Sequence, residues 1–401
     1  MDITKKYYIN LNDIFFYFYI IVLFFPKIDL IGVPGFYQGI RLEDLILFGY
    51  ALYLIYNYNE KIISNHLVQK FLPLLYYFFI IFIGSYIGKV SGSKIAYITL
   101  VRVLEYSLLV IFLCNIKINR DQILKIIKFY VLINIIFVIL QKLNLIGSFT
   151  SLGYLDANHE LSTRVMGLSG GSWELGVIMG LCYFIVVKFE RPSFKKIIFY
   201  FFIVLYLNLE AQSRINFIGF IIANIFFLKE FTTRRKFIVL ISSFFSFLIA
   251  GIIFIDFLDF TSLQRLIKTD YTQSLEILKN FILFLELPNR DLLDTSVWSL
   301  WYRLSLWLKI IPDYFTNFLT ILFGAGNYIV YYESGLLRII LTTGIIGLIY
   351  SIYMFRKIEI YILVYFLITG LTLDIFNSFK IFSFTILYYK LIYENNSYRR
   401  H

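Results

Sequence analysis

Apolar runs of bilayer-crossing length recur from one end of this chain to the other, and they limit what it can fold into. Twelve stretches qualify as candidate spans: 12–26, 41–58, 71–88, 95–115, 122–141, 166–187, 196–210, 214–229, 237–256, 334–355, 358–374 and 377–393. Such a chain lacks the polar residues to cover a water-facing surface. It is 16% charged, against about 25% for an ordinary soluble domain. The alternation of a β-barrel strand is absent. The expected fold is an all-α polytopic membrane protein of about 12 transmembrane helices, residues 1–401 forming a single integral membrane domain. The first run follows Lys5 and Lys6 and lacks a small-residue cleavage site, so it reads as a retained span.

Lysine and arginine orient the spans. With the N-terminus inside, the cytoplasmic segments carry 21 of them and the short outer loops carry eight. Positive residues stay on the cytoplasmic side, so both termini are expected there. The net charge of +11 is then a property of inner loops and does not call for nucleic acid. The same alternation puts residues 257–333 outside as one long polar loop. Two apolar-rich parts of it, Ser274–Leu287 and Ser296–Ile311, read as short amphipathic helices near the membrane surface. Pro312 and the Gly324-Ala325-Gly326 turn are expected to end them.

Metal and cofactor chemistry finds no ligand set in the sequence. Cys114 and Cys182 sit at the inner ends of spans, and the three histidines are scattered. No glycine-rich nucleotide loop and no Ser-His-Asp set is visible. Any reaction outside the membrane must therefore draw on an activated substrate. Internal repeats and paired broken helices are also missing, which weighs against a transporter.

Arginines at the outer boundary are costly there without a task. Arg164 precedes the glycine-rich segment Gly167-Leu168-Ser169-Gly170-Gly171-Ser172-Trp173-Glu174, whose exposed N–H groups would suit an anion. Trp173 and Glu174 are further candidates, with an interfacial anchor as the plainer reading of Trp173. Arg214 opens the eighth span after Glu210, with which it would otherwise pair. Arg303 lies in the Trp-rich part of the loop, one turn before Trp307. Arg338 falls about one turn inside the tenth span and must face a cavity or a partner. Glu333 at the outer mouth can accept a proton from an attacking hydroxyl. Arg102 and Glu105, three apart in the fourth span, are expected to neutralise each other. Asp374 and Lys380 flank the last outer turn and would rim the same cavity. Guanidinium forks match diphosphate oxygens and stabilise charge on a departing diphosphate without a metal.

The ordered set resembles the O-antigen polymerase and ligase superfamily over about residues 160–355. It comprises Arg164-x-x-Gly167, the turn at Ser213-Arg214, the long outer loop, Arg303-x-x-x-Trp307, Phe323-Gly324-Ala325-Gly326, Glu333-Ser334-x-Leu336 and Thr343-Gly344-Ile345-Ile346-Gly347-Leu348. The resemblance implies a GT-C-like, metal-independent, inverting glycosyltransferase in a bacterial inner membrane. It would act at the outer face on undecaprenyl-diphosphate-linked oligosaccharide. Arg164, Arg214, Arg303 and Arg338 would bind the diphosphate. Glu333 and Arg303 would be catalytic, with Glu174, Trp173 and Trp307 nearby. The ligases of the superfamily resemble one another in carrying a histidine at that mouth. This chain has Glu333 there, which favours a polymerase, with a chain-length regulator as a candidate partner. The rival readings are a ligase that moves the finished glycan and a lipid-linked glycan flippase.

Overall fold

The structure is a computed structural model. It describes residues 11–26, 29–32, 39–56, 66–90, 97–116, 118–150, 153–156, 165–231, 270–294, 297–314, 317–325, 334–355, 358–371, 373 and 378–398. In chain order the helices are α1 (Leu11–Phe24), α2 (Leu42–Tyr56), α3 (His66–Val90), α4 (Tyr97–Asn115), α5 (Arg120–Lys142), α6 (Ser172–Glu190) and α7 (Phe194–Glu210). They continue as α8 (Arg214–Phe231), α9 (Tyr271–Ile282), α10 (Trp298–Tyr314), α11 (Phe318–Phe323), α12 (Gly335–Phe355), α13 (Ile360–Gly370) and α14 (Phe379–Tyr398). Eleven of the twelve expected runs coincide with helices, and the ninth, 237–256, lies outside the described residues. Among the described residues, four helices are long and apolar enough to cross a membrane: α3, α5, α6 and α12. The helix count of a membrane bundle is therefore only partly given by length. α1 and α2 have 14 and 15 residues, about 21–23 Å, against about 30 Å of hydrocarbon.

Two short antiparallel hairpins interrupt the helical order, β1–β2 (Asp29–Ile31 with Ile40–Arg41) and β3–β4 (Ser148–Thr150 with Gly153–Leu155). Both follow a helix, where the chain reverses and its backbone groups need partners. Asp29 fixes the first by accepting from the Gly39 N–H at 2.9 Å and from Arg41 Nε at 2.7 Å.

The axis of the bundle is α6. Its span is 89% buried, against 28–44% for the other three long helices. The cause is in its sequence: SWELGVIMGLCYFIVVKFE is apolar on every face, which suits a helix enclosed by others. Its small residues admit close neighbours. Gly180 faces Tyr365 of α13, and a Cβ at Gly176 would fall 2.5 Å from both Asn208 Oδ1 and Asn216 Nδ2. Below them Phe184 meets Phe220, Phe227, Tyr361 and Tyr365 at ring-centroid separations of 5.2–5.9 Å.

Long-range polar contacts sort the helix ends into two sets, matching an up-down order. At one end Lys188 of α6 pairs with Glu359, whose carboxylate also accepts from Tyr361 and Tyr388. Lys390 of α14, 1% exposed, donates to the Leu113 carbonyl at 2.9 Å and to that of Ile116. Those oxygens terminate α4 and have no partner within the helix. The opposite end carries Lys380, Glu174, Glu210, Lys142 and the start of α12.

At that second end α11 is a wedge between α3 and α12. Gly344 breaks α12 with φ 61° and ψ −162°. The break leaves the Leu341 carbonyl to the Ala325 N–H, which donates to it at 2.9 Å. Gly324, at φ 80°, ends α11 where its backbone crosses that of Thr342. A broken helix was not expected. Nor was the course of α10, which runs through Pro312 to Tyr314 although proline lacks the N–H that would have bonded to the Leu308 carbonyl.

The crossing makes a prediction. A Cβ at Gly84 of α3 would fall 2.4 Å from the carbonyls of Phe323 and Thr342, whereas one at Gly49 of α2 meets only Phe15 Cε1, at 3.7 Å. Gly84→Ala is expected to cost about 1–3 kcal/mol. Gly49→Ala is expected to stabilise by roughly 0.5–1 kcal/mol, from helix propensity. Melting temperatures in detergent check both, and a Gly84→Ala protein as stable as the parent would refute the crossing.

Candidate functional site

The glycine-rich segment before α6 is built by side chains from three other elements. Gly167 has φ 57°, which glycine adopts without strain. A Cβ there would lie 2.4 Å from Asn134 Oδ1. Asn134 and Gln141 lie seven residues apart on α5, on one face. Asn134 Oδ1 accepts from the Leu168 N–H at 2.9 Å. Gln141 Oε1 accepts from Met166 and Gly167 at 3.0 and 2.9 Å, and its Nε2 donates to the carbonyls of Gly147 and Gly167. Glu174, fully buried, accepts from the Gly170 N–H at 2.6 Å and from the Ser378 hydroxyl. Lys380, 4% exposed, donates to the carbonyls of Leu168 (2.6 Å) and Phe25 (2.8 Å).

This arrangement corrects two expectations. The helix begins at Ser172 and not at 166, because residues 165–171 form an irregular, clamped segment. Nor is that segment an open cradle for an anion: the N–H groups of Met166, Gly167, Leu168 and Gly170 are taken by the protein's own oxygens. Glu174 and Lys380 hold the fold there. Trp173 is half-buried, and its carbonyl accepts from Asn216 Nδ2 at 2.6 Å. Gln141 and Asn134 were not foreseen as functional side chains. Their signal was two amides one face apart in an otherwise apolar helix.

Arg303 and Arg338 sit on α10 and α12, which pack together, and Arg214 sits on α8, which lies along the α13 that holds the start of α12. Arg214 starts α8 after a tight turn in which Gln212 has φ 52°. Glu210, which the plainer reading paired with Arg214, has its carboxylate on Lys142 of α5. α8 lies along α13, where Gly219 approaches Thr369 and Ile368. The far end of α13 in turn holds α12: the Ser334 hydroxyl donates to the Gly370 carbonyl at 3.2 Å, and the Gly335 N–H to that of Leu373 at 2.9 Å. Arg338 follows one turn on, where Tyr77 of α3 lies beside Arg338 and the hydroxyls of Thr343 and Ser351. On the other side, Leu306, Ile310 and Tyr314 of α10 cluster with Leu337, Leu341 and Ala325. Arg303 is one turn before Leu306 on that helix.

Trp307 packs on Phe281 of α9 at 6.0 Å, within a small cluster around Ile277, Val297 and Leu304. A cation–indole contact in this loop joins Arg290 to Trp298, at 4.2 Å. Arg164, Glu333 and Asp374, and the side chain of Arg102, lie outside the described residues; Glu105 is buried. Among the described residues no three His, Cys, Asp or Glu side chains group as a metal site. The donor set is one of guanidinium groups, which suits an anion with several oxygens. No family model, curated protein or solved structure matches the chain.

The clamp is open to test. Gln141→Leu strands two N–H groups in a buried site, at about 1–3 kcal/mol each. Thermal unfolding should fall by several degrees. Gln141→Glu, which keeps the two acceptor lone pairs, should recover part of it. Equal melting of Gln141→Leu and the parent would dismiss the clamp.

Proposed function

We propose that this protein is a polysaccharide polymerase of the outer face of a bacterial inner membrane. It joins undecaprenyl-diphosphate-linked oligosaccharide repeats into O-antigen or a similar surface polymer. The observation that supports the reading is that Arg338 lies on α12, Arg303 on α10, which packs on α12, and Arg214 on α8, which lies along the α13 that holds the start of α12. Cations at that depth need an anion or a water-filled cavity. The ordered motifs of the sequence add the family-level expectation.

In the proposed reaction the donor is a growing glycan on undecaprenyl diphosphate. A hydroxyl of a second lipid-linked repeat attacks its anomeric carbon. The new C–O bond forms as the bond to the diphosphate oxygen breaks, with inversion. The leaving diphosphate takes the electron pair, and Arg164, Arg214, Arg303 and Arg338 offset its charge. Glu333 accepts the hydroxyl proton. No metal ion is required for any step. The lipid tails lie between helices in the bilayer, and the α9–α10 hairpin roofs the site.

Purified protein incubated with a lipid-linked repeat should yield a ladder on a gel, and the ladder should persist in EDTA. Arg214→Ala and Arg303→Ala should each abolish lengthening while the protein still inserts. Polymer of normal length from either variant would overturn the reading.

A further inference from the structure

An amphipathic helix has an apolar face and a polar one; α9 has a third. At about 100° per residue, Ile277 and Phe281 point to α10, where they cluster with Val297, Leu304 and Trp307. Thr272, Glu276 and Lys279 form a polar face. What remains is a second apolar stripe of Leu275, Leu278 and Ile282, about 60° wide, and it is exposed, Leu275 by 67% and Ile282 by 69%. Leu283, Phe284 and Leu285 carry the exposed apolar surface on past the end of the helix.

That end is closed by an unusual residue. The Phe284 N–H donates to the Phe281 carbonyl at 3.1 Å and the Leu285 N–H to that of Asn280 at 2.9 Å. This pair of bonds needs a left-handed residue after the cap, and glycine is the usual choice. Phe284 takes the place here, at φ 52° and 68% exposed. An aromatic ring held at a strained φ without packing to reward it points to a task outside the fold. The edge is also braced. Trp301 Nε1 donates to the Pro288 carbonyl at 2.8 Å and Trp298 Nε1 to that of Leu293 at 3.1 Å, which ties the loop after the tip to α10. Asn280 Nδ2 donates to the Glu286 carbonyl at 3.2 Å. Along α10, Leu304 meets α9, and about 9 Å further on Ile310 meets Leu341 of α12, a helix long enough to cross a membrane.

We propose that this stripe and tip are inserted in the bilayer leaflet at that end of the bundle. α9 then lies in the interface, with its Leu275–Leu285 edge among acyl chains and Lys279, at the border of the stripe, among headgroups. An exposed apolar patch calls for a cover, and the bilayer that α12 enters supplies one. The proposal rests on the apolar spans and stands apart from the polymerase reading.

The test uses the full-length protein with single cysteines carrying the fluorophore NBD. It is reconstituted in vesicles of phosphatidylethanolamine and phosphatidylglycerol, with or without doxyl-labelled phosphatidylcholine. Cys114 and Cys182 are buried, so the unsubstituted protein sets the labelling background. Labels on Leu275→Cys and Leu285→Cys should be quenched by the doxyl lipid and shielded several-fold from iodide; labels on Thr272→Cys and Glu276→Cys should show the reverse. Equal iodide access on both faces overturns the proposal. So does shielding from iodide without quenching by the lipid, since a second copy or another protein then covers the stripe. Where one cysteine variant fails to fold, the other on its face gives the same reading. Phe284→Gly relieves the backbone, so melting in detergent should hold or rise, while doxyl quenching at Leu285→Cys should fall. Unchanged quenching in that variant makes Phe284 a helix end only and removes the tip from the inserted edge.

Discussion

Inside hydrocarbon a backbone N–H or C=O without a partner costs several kcal/mol, and this constraint bears on two places among the described residues where the backbone departs from a helix, residues 165–171 and Gly344. The two breaks are solved differently. At residues 165–171 the backbone turns away from α6, and side chains from α5, α6 and α14 meet it: Gln141, Asn134, Glu174 and Lys380. At Gly344 the broken α12 is met by backbone, as the Ala325 N–H takes the carbonyl that Ile345 would have used. The second solution brings two main chains into contact. It therefore demands glycine where they cross, and Gly84, Gly88, Gly324 and Gly344 stand there. The first spans its gap with amides and a carboxylate, although Gly167, at φ 57° and against Asn134, still requires glycine.

The buried lysines follow the same rule. Lys380 and Lys390 lie ten residues apart on α14. Each donates to carbonyls just past the end of a helix or within its last turn: Phe25 after α1, and Leu113 and Ile116 around the end of α4. An ammonium at a helix C-terminus gains from the dipole as well as from its hydrogen bonds. α14 thus fastens α1 at one end of the bundle and α4 at the other. Removing either charge would leave carbonyls in apolar surroundings, which is why lysine is retained where leucine would pack.

What could be read from the sequence divides along the same line. Apolar runs report where a helix lies, since burial in lipid or protein needs them whatever the partner. α5, α8 and α12 accordingly begin and end within two residues of the expected bounds. The start of α6 was misplaced by six residues, because Val165, Met166 and Leu168 are apolar and the clamp that unwinds them comes from Gln141, 25 positions earlier. Local spacing suggested Glu210 for Arg214 and Trp307 for Arg303. The structure gives Glu210 to Lys142, across 68 residues. Polar residues in an apolar helix announce that a partner exists, and sequence separation hides which one. The arginines themselves were conspicuous because a boundary cation is costly. That α10 packs on α12 and that α8 is tied to it through α13 is a matter of docking, which no pattern along the chain reveals.

The break at Gly344 bears on how Arg338 is held. A continuous α12 would tie the orientation of Arg338 to the whole length of the helix. With the axis interrupted, the part before Gly344 is instead fixed by its neighbours: Gly370 and Leu373 hold its first turn, and Leu306 and Ile310 pack on Leu337 and Leu341. These same neighbours lead to Arg214 through α8 and to Arg303 through α10. Stabilising charge on a leaving group works only when the donors are already aimed before the charge develops. A constellation on braced helix ends meets that demand better than one on a free loop, since each guanidinium loses its freedom during folding and not during the reaction. The wedge of α11 and the glycine crossing therefore bear on the proposed chemistry, though neither carries a charged side chain to the site.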